Sequence, residues 1–125
     1  MDPIADMLVI IKNGYGAHML KVTLPTSKFR YQVAKVLEKS GFVGNVSKTD
    51  NKLNIDLVYQ NDQKPKITKI RKVSKLGLRY YTKSKNIKSI KGGRGITVLS
   101  TSVGVMTGEE AKKINLGGEV ICQVW

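Results

Sequence analysis

Asn61-Asp62-Gln63-Lys64-Pro65 interrupts a chain of 125 residues that is otherwise regularly patterned. Four polar side chains followed by proline read as a connection between packed elements. The charge balance changes at the same place. Residues 1–62 carry 8 Lys or Arg against 6 Asp or Glu, whereas residues 63–125 carry 14 against 3. The chain is therefore divided here into an N-terminal unit, 1–62, and a basic C-terminal unit, 63–125. Its length suits one domain or two small ones.

Upstream of the interruption, Leu53, Ile55 and Leu57 alternate with Asn54 and Asp56, the pattern of a half-buried strand. A partner strand over 42–48 would reach it through a turn near Asp50-Asn51. Before that pair, 28–40 reads as a helix burying Phe29, Val33, Val36 and Leu37, with Gly41 as its left-handed stop. Pro25-Thr26-Ser27 turns the chain and offers Thr26 or Ser27 as the helix cap. Leu20, Val22 and Leu24 alternate as another strand. The chain opens on a helix capped by Asp2, with Pro3 at its first position and Ile4, Met7, Leu8 and Ile11 on one face. Gly14 and Gly16 are expected to end it. The order is α-β-α-β-β.

Downstream, the pattern is mostly β. Ile67, Ile70 and Val73 lie in a lysine-rich strand, Ser74-Lys75-Leu76-Gly77 makes a turn, and 78–82 forms a strand. Residues 83–91 are basic, with Ile87 and Ile90 hinting at one helical turn. Gly92-Gly93-Arg94-Gly95 breaks the chain before a strand that begins at Ile96 and ends in Ser100-Thr101-Ser102. Thr107 caps a brief helix to Asn115, with Glu109 and Glu110 in its first turn. Gly117-Gly118 leads into a last strand, 119–125. The expected class is α+β, with two small subdomains: an α-β-α-β-β N-terminal unit and a mostly β C-terminal unit with a short helix.

A net charge of +13 opposes compaction and calls for a polyanionic partner. Twelve basic residues and no acidic one occur over 64–94, which reads as an electrostatic footprint on phosphate, against the alternative of a solvated lysine-rich face. Lys83, Lys85 and Lys88 are its expected phosphate contacts. Tyr80 and Tyr81 lie inside it; one would face the core and the other be free to stack on a base or ribose. For either tyrosine alone, core packing is the default. The hydroxyls of Ser100, Thr101 and Ser102, followed by Gly104, could address base edges and 2′-OH groups. On composition alone this stretch reads as an ordinary hydrogen-bonded turn.

Other chemistries find little support. Gly92 to Gly95 matches the GxxG of KH modules, but a strand follows where those modules have a helix. Cys122 is the lone cysteine, so no intrachain disulfide forms and a reducing compartment is expected. It sits in an apolar strand, and His18 in a glycine-flanked loop, so neither suggests a nucleophile or a base. One histidine cannot build a zinc site. The start, MDPIAD, is unlike a signal peptide, and no apolar stretch approaches the ~20 residues of a membrane span. An RNA-binding protein without enzymatic activity, cofactor, small-molecule substrate or membrane partner is expected.

The chain strongly resembles the bacterial-type family of small-subunit ribosomal protein eight. The resemblance runs through Asp2-Pro3-Ile4-Ala5-Asp6-Met7, Lys12-Asn13-Gly14, Pro25-Thr26-Ser27-Lys28, Val73-Ser74-Lys75 and Gly77-Leu78-Arg79. Its most specific part is Gly95-Ile96, Leu99 to Ser102, Gly104-Val105-Met106-Thr107 and Gly117-Gly118-Glu119-Val120-Ile121-Cys122. The resemblance implies a two-domain cytoplasmic protein of the ribosome. It would bind the central domain of small-subunit ribosomal RNA, help assemble the platform beside neighbouring ribosomal proteins, and in some bacteria repress its own operon messenger. It implies RNA contacts at Tyr81, Ser100, Thr101, Ser102, Gly104 and Glu119, with a secondary region at Ser27 and Lys28. Glu119 is unusual there, since a carboxylate repels phosphate; it could accept from a base amino group or a 2′-OH, or brace the serine loop.

The chain departs from the family at Leu76 and Lys88, where proline is usual, and at Gly108, where aspartate is common. Val103 stands for a common lysine. Arg94 replaces an apolar residue and is expected to restore charge near the hydroxyl loop. The alternatives are a nonribosomal RNA-binding regulator using the same basic face, a small enzyme using Cys122 or His18, and a binder of anionic membranes.

Overall fold

Asp2 sets the start of the first helix. In the computed structural model, which describes residues 2–125, its carboxylate accepts from the N–H groups of Ile4 and Ala5, each at 3.1 Å. Helix α1 (Pro3–Gly16) then buries Ile4, Met7, Leu8 and Ile11, as their spacing requires. Gly14 does not stop it. A Cβ there would lie 2.6 Å from Val22 Cγ1, so glycine is where the next strand packs closest.

Strand β1 (Lys21–Pro25) alternates as expected at Val22 and Leu24, both buried. Leu20 lies one residue outside the strand and is 80% exposed, because alternation holds only within the extended segment. Ser27 caps helix α2 (Lys28–Lys39) by accepting from Arg30 N–H. The helix buries Val33, Val36 and Leu37 with Ala34. Phe29 is 36% exposed. It sits in the first turn, and periodicity assigns a face without saying how far the packed layer extends. Gly41, at φ +83°, closes the helix, with Gly41 N–H donating to Glu38 C=O and Phe42 N–H to Leu37 C=O, a Schellman stop.

Strands β2 (Val46–Thr49) and β3 (Lys52–Asp56) form the expected hairpin, turning at Asp50 with φ +54°. The antiparallel sheet is ordered β1-β3-β2, and Leu53 and Ile55 of its central strand are fully buried. The chain separates into two compact units, Asp2–Thr68 and Lys69–Trp125. Residues 64–66 belong with the first, held by Gln60 N–H to Lys64 C=O, Lys66 N–H to Val58 C=O and a bridge between Tyr59 and Pro65.

The second unit is a five-stranded antiparallel sheet. Strands β4 (Ile70–Lys72), β8 (Gly118–Val124), β6 (Ile96–Thr101) and β7 (Gly104–Thr107) lie in that order, and β5 (Tyr81–Thr82) also pairs with β8. The strands expected over 67–73 and 78–82 are thus shorter than their apolar patterns suggested. Strand β7 is an addition: only Val105 and Met106 are apolar there, too few to show alternation. One face carries a core of Ile87, Leu99, Ala111 and Val120, with Val73 and Met106 against it. Helix α3 (Gly108–Lys113) covers that face and begins with a full capping box between Thr107 and Glu110. Residues 84–86 make a single 3-10 turn. The α+β expectation, with an α-β-α-β-β first unit and a mostly β second unit, is borne out.

Candidate nucleic-acid interface

The strand register brings together residues far apart in sequence. Tyr81 lies opposite Glu119, and Glu119 opposite Ser100. Direct partners in antiparallel ladders share a face, so the three form one row across β5, β8 and β6. Ser100 continues the row to Val105 on β7. Two glycines make the crossing possible. A Cβ on Gly117 would strike the Thr82 carbonyl, and one on Gly118 the Ser100 carbonyl. With any other residues β8 could not run between its neighbours.

The row is fixed from below by Ser74, a fully buried polar residue. Its Oγ accepts from Tyr80 N–H at 2.9 Å and donates to Tyr80 C=O at 3.3 Å, while Val120 N–H donates to the same carbonyl. This clamps the backbone and leaves both tyrosine rings outside, Tyr80 at 58% and Tyr81 at 68% exposure. The expectation that one ring enters the core is corrected. The chain is too irregular before Tyr81 for a half-buried strand.

The hydroxyl loop is the β6–β7 hairpin turn, and its three hydroxyls differ. Thr101 Oγ1 accepts from the N–H groups of Val103 and Gly104, both at 3.2 Å, and donates to Gly104 C=O at 2.8 Å. Its hydrogen-bonding capacity is committed to the turn. Ser100 and Ser102 have no side-chain partner, and Ser102 is exposed. Gly104 adopts φ +144°, a conformation side chains rarely take.

Glu119 is balanced by Arg79, whose Nη1 donates to Oε2 at 3.1 Å. Arg79 and Glu119 stand 40 residues apart, so no local pattern announced the pair. The arginine fixes one carboxylate oxygen, and Glu119 remains an acceptor in a basic setting.

Lys83 and Lys85 are exposed and border a shallow depression together with Tyr80 and Tyr81. Lys88 lies elsewhere, in a cleft on the α3-bearing side of the sheet. Arg94 precedes β6, whereas Val103 follows it. The length of β6 separates them by roughly 20 Å at ~3.3 Å per residue. Arg94 therefore does not replace the charge missing at Val103. In the first unit Ser27 and Lys28 are exposed at the start of α2, and the Ser27 hydroxyl is engaged as its cap.

The remaining candidates are inert in this geometry. Cys122 is fully buried, and burial pushes its thiol up to about 12. His18 is exposed and stacked on Tyr59 at 5.6 Å. Among the described residues no His, Cys, Asp and Glu group could hold a metal ion, and no helix is long and apolar enough to cross a membrane.

These features define a class: a small basic α+β protein with free hydroxyls, exposed tyrosines and unpaired lysines at one sheet edge, suited to a polyanion. Comparison with known proteins supplies the family. The model for Ribosomal protein S8 matches residues 2–125, and the chain belongs to that family. It is 43% identical to small ribosomal subunit protein uS8 of Roseiflexus castenholzii and 42% to that of Chloroflexus aggregans, covering 99% of this chain and 97% of each relative. It is 42% identical to small ribosomal subunit protein uS8c of Chlorella vulgaris, covering 99% of this chain and 98% of that one. The resemblance read from sequence is borne out.

Proposed function

We propose that this chain is a structural constituent of the small ribosomal subunit that binds the central domain of ribosomal RNA directly and helps assemble the platform with neighbouring ribosomal proteins. In this reading the RNA-binding part is residues 63–125. Tyr81, Glu119, Ser100, Ser102 and the Gly104 backbone address bases and riboses. Lys83 and Lys85 hold phosphates. Thr101 serves by shaping the turn. Ser27 and Lys28 make a lesser contact. A hairpin in the operon messenger with the same bases would engage the same row, giving translational repression.

The observation that carries this reading is the Tyr81–Glu119–Ser100 row with an unpartnered Ser102 in the adjoining β6–β7 turn, beside lysines with no acidic partner. Hydroxyls and a single carboxylate give base and ribose selectivity, whereas lysines alone give affinity without it. The test is chemical footprinting on full-length small-subunit ribosomal RNA, followed by titration of the protected segment. Ser100→Ala with Ser102→Ala should lower affinity for that segment by roughly thirtyfold, from two neutral hydrogen bonds of ~1 kcal/mol each. Its salt dependence should not change. Protection outside the central domain, or unchanged affinity in the folded double variant, overturns the proposal.

A further inference from the structure

Tyr80 and Tyr81 are consecutive and exposed, and both border the depression of Lys83 and Lys85, but only Tyr80 also reaches a second opening. Tyr81 belongs to the row with Glu119 and Ser100. Tyr80 in addition lines a cleft of about 420 Å³ on the side that carries α3, together with Val120 of the core. Arg71, Lys75 and Lys88 line the same cleft, and none of the three has a side-chain partner. Lys72 adds a fourth cation and donates to Ser74 C=O. No Asp or Glu lines the cleft. The Gln123 amide lies there in register with Arg71 on one side and Thr97 on the other.

This combination is chemically specific. Unpaired cations around one opening repel each other and favour a bound polyanion. Phosphates spaced along a backbone match separate cations better than one small anion would. An exposed tyrosine at the rim offers a π-face to an unpaired base, and an amide can meet a base edge or a 2′-OH. A duplex keeps its bases stacked inside and could not use the ring.

We propose that this cleft is a second RNA site, which takes a single-stranded or looped segment with phosphates on Arg71, Lys75 and Lys88 and a base over Tyr80. The sheet edge is then straddled by RNA, with the hydroxyl row on one side and the cleft on the other. The inference extends the RNA-binding reading to a second face and can fail independently of it.

The test uses the full chain and a fluorescent octauridylate carrying 4-thiouridine. Titrations are run alone and with the footprinted ribosomal RNA segment at saturation. The expected photo-crosslink falls on Tyr80 and persists when the segment is bound. Tyr80→Ala should weaken octauridylate binding roughly fivefold or more, and Tyr80→Phe should retain most of it. Arg71→Gln with Lys75→Gln should flatten the slope of log affinity against log salt by about 1.4, twice the single-strand value per phosphate. Crosslinking to Tyr81, displacement by the saturating segment, or wild-type binding by the cleft variants overturns the second site. Displacement by lower concentrations of an octaglutamate peptide overturns RNA as its occupant. If the ribosomal segment does not bind at all, the octauridylate titration without it still decides the cleft.

Discussion

The first unit spends its sequence on packing, and the second on display. Among the described residues, 18 buried hydrophobics fall in Asp2–Thr68 and 8 in Lys69–Trp125. Both units hold engaged cations and displayed ones. In the first unit Arg30 donates to the carbonyls of Pro3 and Pro25, pinning the start of α1 to the end of β1. Lys35 pairs with Glu38, and Lys35 and Lys48 both lie over the Tyr31 ring. In the second unit Arg79 pairs with Glu119, Lys113 with Glu109, and Lys91 lies over Trp125, while Arg71, Lys75, Lys83, Lys85, Lys88 and Arg94 have no side-chain partner, as is also true of Lys12, Lys21, Lys52 and Lys66 in the first. A charge satisfied at home contributes to fold geometry. One left unpaired raises the self-energy of the free protein and is relieved by an anion. The charge contrast read along the sequence is one of balance, 8 basic against 6 acidic residues in 1–62 and 14 against 3 in 63–125.

The largest effect that would sharpen this contrast is in the first core. Leu53→Ala removes a fully buried side chain from the central strand and should cost about 3 kcal/mol, read from the urea midpoint. The salt dependence of RNA binding by the folded fraction should not change. If that slope falls, the first unit carries more of the RNA contact than the lesser share of Ser27 and Lys28.

Next is the hairpin, where neighbouring hydroxyls should separate. Thr101→Val breaks three hydrogen bonds of the turn and should destabilise by about 1–2 kcal/mol. Ser102→Ala should change stability by less than ~0.5 kcal/mol while weakening specific RNA binding. Denaturation and RNA titration of both variants check this. Equal behaviour in both assays would mean the two hydroxyls share one role.

Smaller still are single lysines. Lys83→Gln or Lys85→Gln should each flatten the salt slope by a little under ~1, on specific and unrelated RNA alike. Lys35→Gln should leave it unchanged, because Lys35 is paired with Glu38. A flatter slope for Lys35→Gln would erase the distinction between employed and displayed charge.

The smallest effect concerns acid. The Val46 N–H, and then Lys35, hold the Glu38 carboxyl below its ordinary 4.5. Its folded value is the lower one, so its contribution is present above 4.5 and is lost as pH falls through the folded value. Urea midpoints between pH 6 and 3 should drop less steeply for Glu38→Gln than for wild type. Parallel profiles would remove Glu38 as a tie between α2 and β2.

Much of this molecule was legible in its sequence wherever the determinant is local. Asp2-Pro3, Ser27 and Thr107 start helices because a side chain satisfies N–H groups two or three residues away. Gly41 stops one because few other residues accept its φ. The α-β-α-β-β order followed from apolar period, and the family from its motifs. The tertiary structure alone decided which distant residues meet. Glu119 meets Arg79, Tyr81 and Ser100 through strand register, which is set by backbone pairing across 19 to 40 residues and leaves no mark in any local window. Strand β7 exists because β6 offers it a hydrogen-bonding edge, although its own four residues show no strand pattern. The separate work of Thr101 and Ser102 has the same origin: a folded turn consumes one hydroxyl and leaves its neighbour free.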